Sequence, residues 1–471
     1  MSCSGEHVTG ADPVSVAVCH RSGTTGSIVQ ASGADLATHR THGDYFVSLS
    51  VGRSSAGAID STRFTKIEAA LASVRAGRLA RSEGQSAACR ITIAVDSGTF
   101  RGTASSTADA TLEHFPFVVD VPDVTLRGAL VLTADANGRV TGTQAGSATV
   151  LAPVEPLPII GGTSSQTGSS VPIVIANGHP DGSSAGHGLV VQGFVFQSGH
   201  VGIDTLVGGQ GVFALRVQGL VVTGNRFEAG FTETIDLRAS DAVVDKNQLG
   251  GVLVASAGTC DICLAGPGRY TVSNNRVLVG GIPGILTVPA TLLPVSSVVE
   301  QHTLPAASTI TATISNNEVR DHLRKPVGVG VRVGAVGVGA PNVSGTSQVT
   351  IRGNTLLNNN FGIIVEAAFP VAGSALRGDA TVALDGNSLR QSCQADLLVS
   401  FSRHTTALGL SNVPYLRGST YTLSLGGNLK WTDAWFSAPD GFGNTLIVDG
   451  QTIPAGARQS YDANRTCPPL S

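Results

Sequence analysis

The chain has little of what a nucleic-acid-binding or membrane-spanning protein needs. Only 13% of its 471 residues are Asp, Glu, Lys or Arg, and the formal net charge is -3. No basic tract exists to neutralise phosphates, so nucleic acid is excluded as a partner. No run of about 18 consecutive apolar residues occurs, which excludes a transmembrane helix. Aromatic residues are scarce at 5%, whereas Gly occurs 59 times, and together with the low charge this describes a β-rich, loop-rich chain. The length would ordinarily mean two or three domains.

What is present is a phrase that returns. Val222-Thr-Gly-Asn225-Arg-Phe227 is followed by Val244-Asp-Lys-Asn247-Gln-Leu249, Val272-Ser-Asn-Asn275-Arg-Val277, Ile314-Ser-Asn-Asn317-Glu-Val319, Ile351-Arg-Gly-Asn354-Thr-Leu356 and Leu384-Asp-Gly-Asn387-Ser-Leu389. The Asn-to-Asn steps are 22, 28, 42, 37 and 33 residues. A constant phrase at an irregular period means a constant corner with variable loops. Asn tolerates left-handed backbone and bonds its own neighbourhood, so it is expected to supply the bend itself. The flanking apolar residues then point into one interior. If each copy is one coil, the corners stack about 4.8 Å apart and the Asn side chains form a ladder. Weaker copies at Leu126-Arg-Gly-Ala129, Val191-Gln-Gly-Phe194 and Val448-Asp-Gly-Gln451 extend the coil from about residue 90 to about residue 455. A solenoid grows in one dimension, which lifts the usual limit on domain size.

On these Asn corners the chain resembles the right-handed parallel β-helix proteins, the pectate-lyase-like superfamily. The implied fold class is all-β, a right-handed parallel β-helix solenoid with an N-terminal capping helix. That helix is expected over residues 61–77, where Ser61 or Thr62 can cap it, Ile67, Leu71 and Val74 fall at helical spacing and Gly77 ends it. An open solenoid end exposes apolar core and unpaired strand edge, so a plug is needed. Residues 58–471 form the solenoid in this reading, with a C-terminal cap after about 455. Residues 141–186 and 280–308 leave the coil as excursions that either wall a groove or protect an edge.

Residues 1–57 lack the phrase and form a separate Cys/His module. Cys19-His20-Arg21-Ser22-Gly23 and His39-Arg-Thr-His42-Gly43-Asp44 resemble a CHRTG…HxxHGD module of bacterial secreted and surface proteins, departing from it at Ser22. Cys19, His20, His39, His42 and Asp44 are ligand types for a divalent metal, with His39, His42 and Asp44 as the candidate set. The alternative is a hydrogen-bonded cap with Cys19 in a disulfide. Cys3, directly after Met-Ser, would suit the lipid anchor of a bacterial lipoprotein. The remaining six cysteines allow 15 pairings. Cys260-Asp-Ile-Cys263 has no second CxxC, which argues against zinc and leaves a local disulfide or redox pair.

A second strand should follow each Asn corner. Ile235-Asp236-Leu237-Arg238, Val252-Leu253-Val254-Ala255, Val331-Arg332-Val333-Gly334 and Ile363-Ile364-Val365-Glu366 share one frame. Alternation then places Asp236, Arg238, Arg332 and Glu366 on one outward face, the first two about 14 Å from the others. His322, in the densest charged cluster, is a further acid or base candidate, with a polar turn as the other explanation. The resemblance implies polysaccharide as partner, engaged along that face, and a lyase if the protein is an enzyme. It also makes calcium the cation to consider. No paired-Asp motif of the related hydrolases is found. The competing expectation is a non-catalytic surface scaffold or adhesive subunit, with self-association, since fold alone does not license chemistry. Either reading places the protein outside a bacterial cell or on its surface.

Overall fold

The computed structural model describes residues 16–454 except 23–24, 33–34, 42–43, 53–61, 80–88, 104–108, 110, 155–158, 161–168, 171, 178–185, 198–209, 229–230, 232, 251–259, 279–282, 290–306, 324–327, 336–343, 368–376, 394, 402–415, 427–433 and 438–442. Cys3, His42, Cys467 and the stretch 252–255 therefore lie outside the described residues.

Among the described residues, three long sheets of 14, 10 and 10 strands run side by side, and between Ile91 and Ser400 each successive coil adds one strand to each. One coil comprises Leu220–Thr223, Arg226–Phe227 and Glu233–Arg238. The next comprises Ala242–Asp245, Gln248–Leu249 and Ile262–Ala265. Every inter-coil pairing is parallel and in register, as between Val222 and Val244 or Leu237 and Leu264. The fold is a right-handed parallel β-helix. Its interior is one continuous apolar column from Val47 to Val448, in which Phe196 stacks on Phe227 at 4.6 Å and Phe401 on Tyr421 at 4.2 Å.

The six asparagines form the expected column. The backbone N and Nδ2 of Asn225 both donate to Asn247 Oδ1 at 3.1 Å. The pattern repeats through Asn275, Asn317 and Asn354 to Asn387 Oδ1. Each Nδ2 also donates to a carbonyl of the preceding coil, Val222 O for Asn247 and Val272 O for Asn317, both at 2.9 Å. The bend lies one residue earlier than expected. Gly224, Lys246, Asn274, Asn316, Gly353 and Gly386 carry the positive φ, from 54° to 65°, and the ladder Asn does not. The slot wants a side chain that donates and accepts at once along the stack, and the residue before it wants left-handed backbone.

Of the three weaker copies, only the one at Phe194 is a coil corner of this kind, with the Phe194 amide donating to Asn225 Oδ1 at 3.1 Å. At Ala129 the chain instead leaves the coil as an antiparallel hairpin of Leu132–Ala134 and Val140–Thr143. It returns at Thr149, whose hydroxyl accepts from Ala129 N at 2.9 Å and donates to Val95 O. At Gln451 the strand folds back antiparallel on Thr445–Val448 through left-handed Asp449 and Gly450, closing the sheet edge.

The N-terminal end is plugged by the helix Ile67–Leu79, which presents Ile67, Ala70, Leu71 and Val74 to the core. It starts later than 61 because Arg63–Phe64 pairs as a short strand with Ser48–Val51. Its start is capped by a distant carboxylate, Glu113, whose two oxygens accept from the amides of Ile67 (2.8 Å) and Glu68 (3.3 Å). Gly77 lies inside the helix, where an added Cβ would come within 3.2 Å of Tyr45. Within residues 1–57, Ser48–Val51 pairs with Ile91–Val95 in the 14-stranded sheet, and the expected boundary at 57 lies outside the described residues. Cys19–Cys89 ties the module to the first full coil.

Candidate functional site

Asp236, Arg238, Arg332 and Glu366 do lie on the outward side of the third sheet, opposite the core-facing Ile235, Leu237, Val331, Val333, Ile363 and Val365. The strand between Asp236 and the later residues is Ile262–Ala265, with Cys263 beside Asp236 and Leu286 next, so Arg332 is three strands from Asp236 as the spacing requires. Glu366 stands opposite Gly334, two residues along from the Arg332 position, and reaches Arg332 diagonally as an ion pair.

The face is covered, contrary to an open polysaccharide groove. Asp236 is 1% exposed, Glu366 0% and Arg332 5%. Their strand neighbours are apolar: Phe213, Leu215 and Ile175 form one cluster beside the Asp236 end, and Cys263, Ala265, Leu286 and Val288 another. Arg238 holds Asp236 at 2.6 Å and Glu233 at 3.6 Å and lies over the Phe213 ring, 5.4 Å from its centroid. Burial works against the Arg238 charge, but Asp236 and Glu233 outweigh it and push its pKa up. An arginine held in this way cannot lose a proton as a base. Nor do Asp236 and Glu366 offer calcium a coordination shell, since each carboxylate is committed to a guanidinium.

His322 is fully buried at the second corner of the coil. Its amide donates to Asn359 Oδ1 at 3.1 Å and its Nε2 lies 3.0 Å from Asp261 Oδ2, while Asn359 Nδ2 donates to Val319 O. This is a second, short ladder with an ionisable member. Burial raises the Asp261 pKa, opposed by the hydrogen bond from His322. Asp261 lies between the bonded Cys260 and Cys263, so that CxxC is a local disulfide. With no exposed surface, His322 is a corner residue and not a solvent-facing acid or base.

In the Cys/His module, pairing of Cys19 with Tyr45 sets the neighbouring His20 and Asp44 side by side. His39 comes from the short helix Leu36–Thr41. His20 Nδ1 and His39 Nδ1 lie 2.8 and 2.6 Å from the same oxygen, Asp44 Oδ2. Among the described residues, His20, His39 and Asp44 converge, and Cys19 is removed from the set by its disulfide.

The open surface is elsewhere, on the outer face of the 14-stranded sheet. In register across coils stand Thr271, Thr313 and Thr350, and beside them Thr311, Gln348, Thr381 and Thr422. A third row begins Thr309, Thr346, Asp379. Thr271, Thr309, Thr311, Gln348 and Thr381 are exposed and the other threonines half-buried. Rows lie about 6.7 Å apart along the strand and members about 4.8 Å apart across coils. The sequence carries this as the strict alternation Thr309, Thr311, Thr313, on the strand before the Asn corner and not on the one after it.

No family model matches the chain, and no curated protein matches it. Among solved structures it is similar to DFA-IIIase from Arthrobacter chlorophenolicus A6, at 13% identity over 87% of each chain with a TM-score of 0.44. It is also similar to a hyperthermoactive exopolygalacturonase from Thermotoga maritima, at 10% identity over 82% of this chain and 88% of that one, with a TM-score of 0.35. The likeness is one of fold. No helix among the described residues is long and apolar enough to cross a membrane.

Proposed function

We propose that the protein is a non-catalytic bacterial surface or secreted protein that engages an extended polysaccharide along the outer face of its longest sheet. The observation that carries this reading is the exposed grid of Thr and Gln side chains at Thr271, Thr309, Thr311, Gln348 and Thr381. Hydroxyls repeating every coil on a rigid sheet can exchange hydrogen bonds with hydroxyls repeating along a sugar chain, with little side-chain entropy to lose because Thr has one stiff rotor. The rows are neutral apart from Asp379 and Arg269 at their ends, which favours a neutral polysaccharide over a polyuronate.

A lyase needs an accessible cation or base beside its substrate. The burial of Asp236, Arg332 and Glu366 speaks against one at those residues.

Affinity electrophoresis through gels containing neutral or uronate polysaccharides tests the proposal. Retardation by a neutral chain is expected, lost in Thr311→Glu with Thr381→Glu and retained in Asp236→Asn. Retardation unchanged by the Thr substitutions, or formation of unsaturated product from a uronate polymer abolished by Asp236→Asn, overturns it. A second reading, self-association through this face, would appear as concentration-dependent particle size that the same two substitutions remove.

A further inference from the structure

The Cys/His module is held by the strand pairing and by a disulfide, and what that framework positions is a set of donors. His20 sits on the strand Val16–Ser22, His39 on the helix Leu36–Thr41, and Asp44 just before the strand Tyr45–Phe46. Three separate elements thus contribute one atom each. His20 Nδ1, His39 Nδ1 and Asp44 Oδ2 all lie within 4.8 Å of one another. The geometry is fixed from outside the cluster: Cys19, next to His20, is bonded to Cys89, and the Asp44 amide donates to His39 O at 2.9 Å. The two imidazoles meet edge to face, with centroids 5.6 Å apart, and both turn Nδ1 toward the one oxygen.

We infer that His20, His39 and Asp44 form a binding site for one divalent transition-metal ion of the zinc type. Two imidazoles and one carboxylate are the donors that Zn2+, Co2+ and Ni2+ prefer; calcium takes six to eight oxygens and is not served by this set. The Asp44 side chain is 1% exposed, whereas His20 and His39 are 37% and 21% exposed. The carboxylate is therefore the floor of the site and the imidazoles its rim. Three protein ligands leave a fourth position for water or for a donor of a partner, the arrangement of an open site rather than a closed structural one. Zinc bonds of about 2.0–2.1 Å at tetrahedral angles separate ligand atoms by roughly 3.3 Å. The present 2.6 and 2.8 Å reach this by small side-chain rotations.

The same three side chains can instead be a hydrogen-bonded triad, and the two states differ in which nitrogen of each imidazole carries its hydrogen. In the triad each Nδ1 carries hydrogen and donates to Asp44. In the metal site each Nδ1 is the ligand and the hydrogen sits on Nε2. The inference does not rest on the polysaccharide reading. The site lies beside the first coil, whereas the Thr grid begins at Thr271.

The test uses the full chain, stripped of metal by a chelator and titrated with Zn2+ by calorimetry and with Co2+ by visible absorption. One ion per chain is expected, with the intense visible bands of four- or five-coordinate cobalt. His20→Ala and His39→Ala should each weaken binding at least 10-fold and abolish the bands, while the circular dichroism and the Cys19–Cys89 bond stay intact. No saturable uptake near one equivalent, or uptake that survives the double His20→Ala, His39→Ala variant, overturns the inference. Should the variants fail to fold, the unaltered chain decides it by histidine 15N shifts. Loss of Nδ1–H from two histidines on adding Zn2+ supports the site, and its persistence makes the cluster a hydrogen-bonded triad.

Discussion

Asn275 donates to the Oδ1 of Asn317 twice, from its backbone N and from its Nδ2, both at 2.9 Å and across 42 residues of sequence. The same pair of bonds joins Asn225 to Asn247 across only 22 residues. The corner is therefore indifferent to the length of the intervening chain. What it demands is a side chain that is donor and acceptor in one plane. Each ladder Asn also satisfies a buried carbonyl of the coil before it, so the column replaces water that the corner excludes.

Replacing a central member should be severe. Asn317→Ala leaves the Asn275 amide without an acceptor, takes one of the two acceptors of Asn275 Nδ2, which keeps Val244 O, and removes the donor to Val272 O at 2.9 Å. Each stranded buried group costs about 1–3 kcal/mol, so a loss of roughly 3–5 kcal/mol is expected from urea unfolding. Asn317→Asp should be no milder, because a carboxylate cannot donate and would be ionised in a fully buried slot. Asn387, 8% exposed and at the end of the column, should lose less on the same change.

The ion pair between Arg332 and Glu366 yields the opposite kind of expectation. Both are buried among apolar neighbours, so removing one partner strands a charge. Arg332→Met alone or Glu366→Leu alone should destabilise by about 3–5 kcal/mol, and the double variant should recover most of that. Thermal unfolding of the four proteins closes the cycle. Polysaccharide retardation should be the same in the double variant as in the unaltered chain.

The coil, its Asn column, the plug helix and the outward direction of Asp236 and Glu366 were legible because each depends on local chemistry or on period-2 alternation. Three features were not. The burial of Asp236 on its outward face was one, because alternation distinguishes the two sides of a strand without saying whether the outer one meets water. The strand Ile262–Ala265 stands at a distance from Asn247 that the Asn phrase does not set, and only its pairing with Glu233–Arg238 identifies it. The approach of His20 to Asp44 was the third, because strand pairing and not helical spacing brings the two together.

The hairpin at 132–143 reaches far along the solenoid. Arg139 Nη1 donates to Thr355 Oγ1 and its Nη2 to Asn316 Oδ1, both at 2.9 Å, although Thr355 is 216 residues away. From the other side, Arg276 Nη1 donates to Thr141 O at 2.6 Å. The hairpin is thus a strap over the outside of the Asn corner, fastened mainly by guanidinium groups. Arg139→Ala should speed amide hydrogen exchange in 132–143 by 10-fold or more, about 1.4 kcal/mol of local opening. Exchange at the ladder amides of Asn275 and Asn317 should not change, since those bonds are made within the column.

Glu113 makes stability depend on pH in an unusual direction. Burial raises its pKa from 4.5 to about 7, against the two helix amides, which lower it. The folded chain therefore holds the proton more tightly than the unfolded chain does. Below about pH 4.5 both forms are protonated and this group's contribution is fully present; it is lost as pH rises through about 7. The size is of the order of 3 kcal/mol across that window. Asp261, also raised by burial, acts in the same sense. Urea midpoints measured from pH 5 to pH 8 should fall as pH rises, and Glu113→Gln should flatten that slope while keeping one oxygen for the Ile67 amide. A slope unchanged in Glu113→Gln would mean that the carboxylate is already ionised at pH 5, held so by the start of the plug helix.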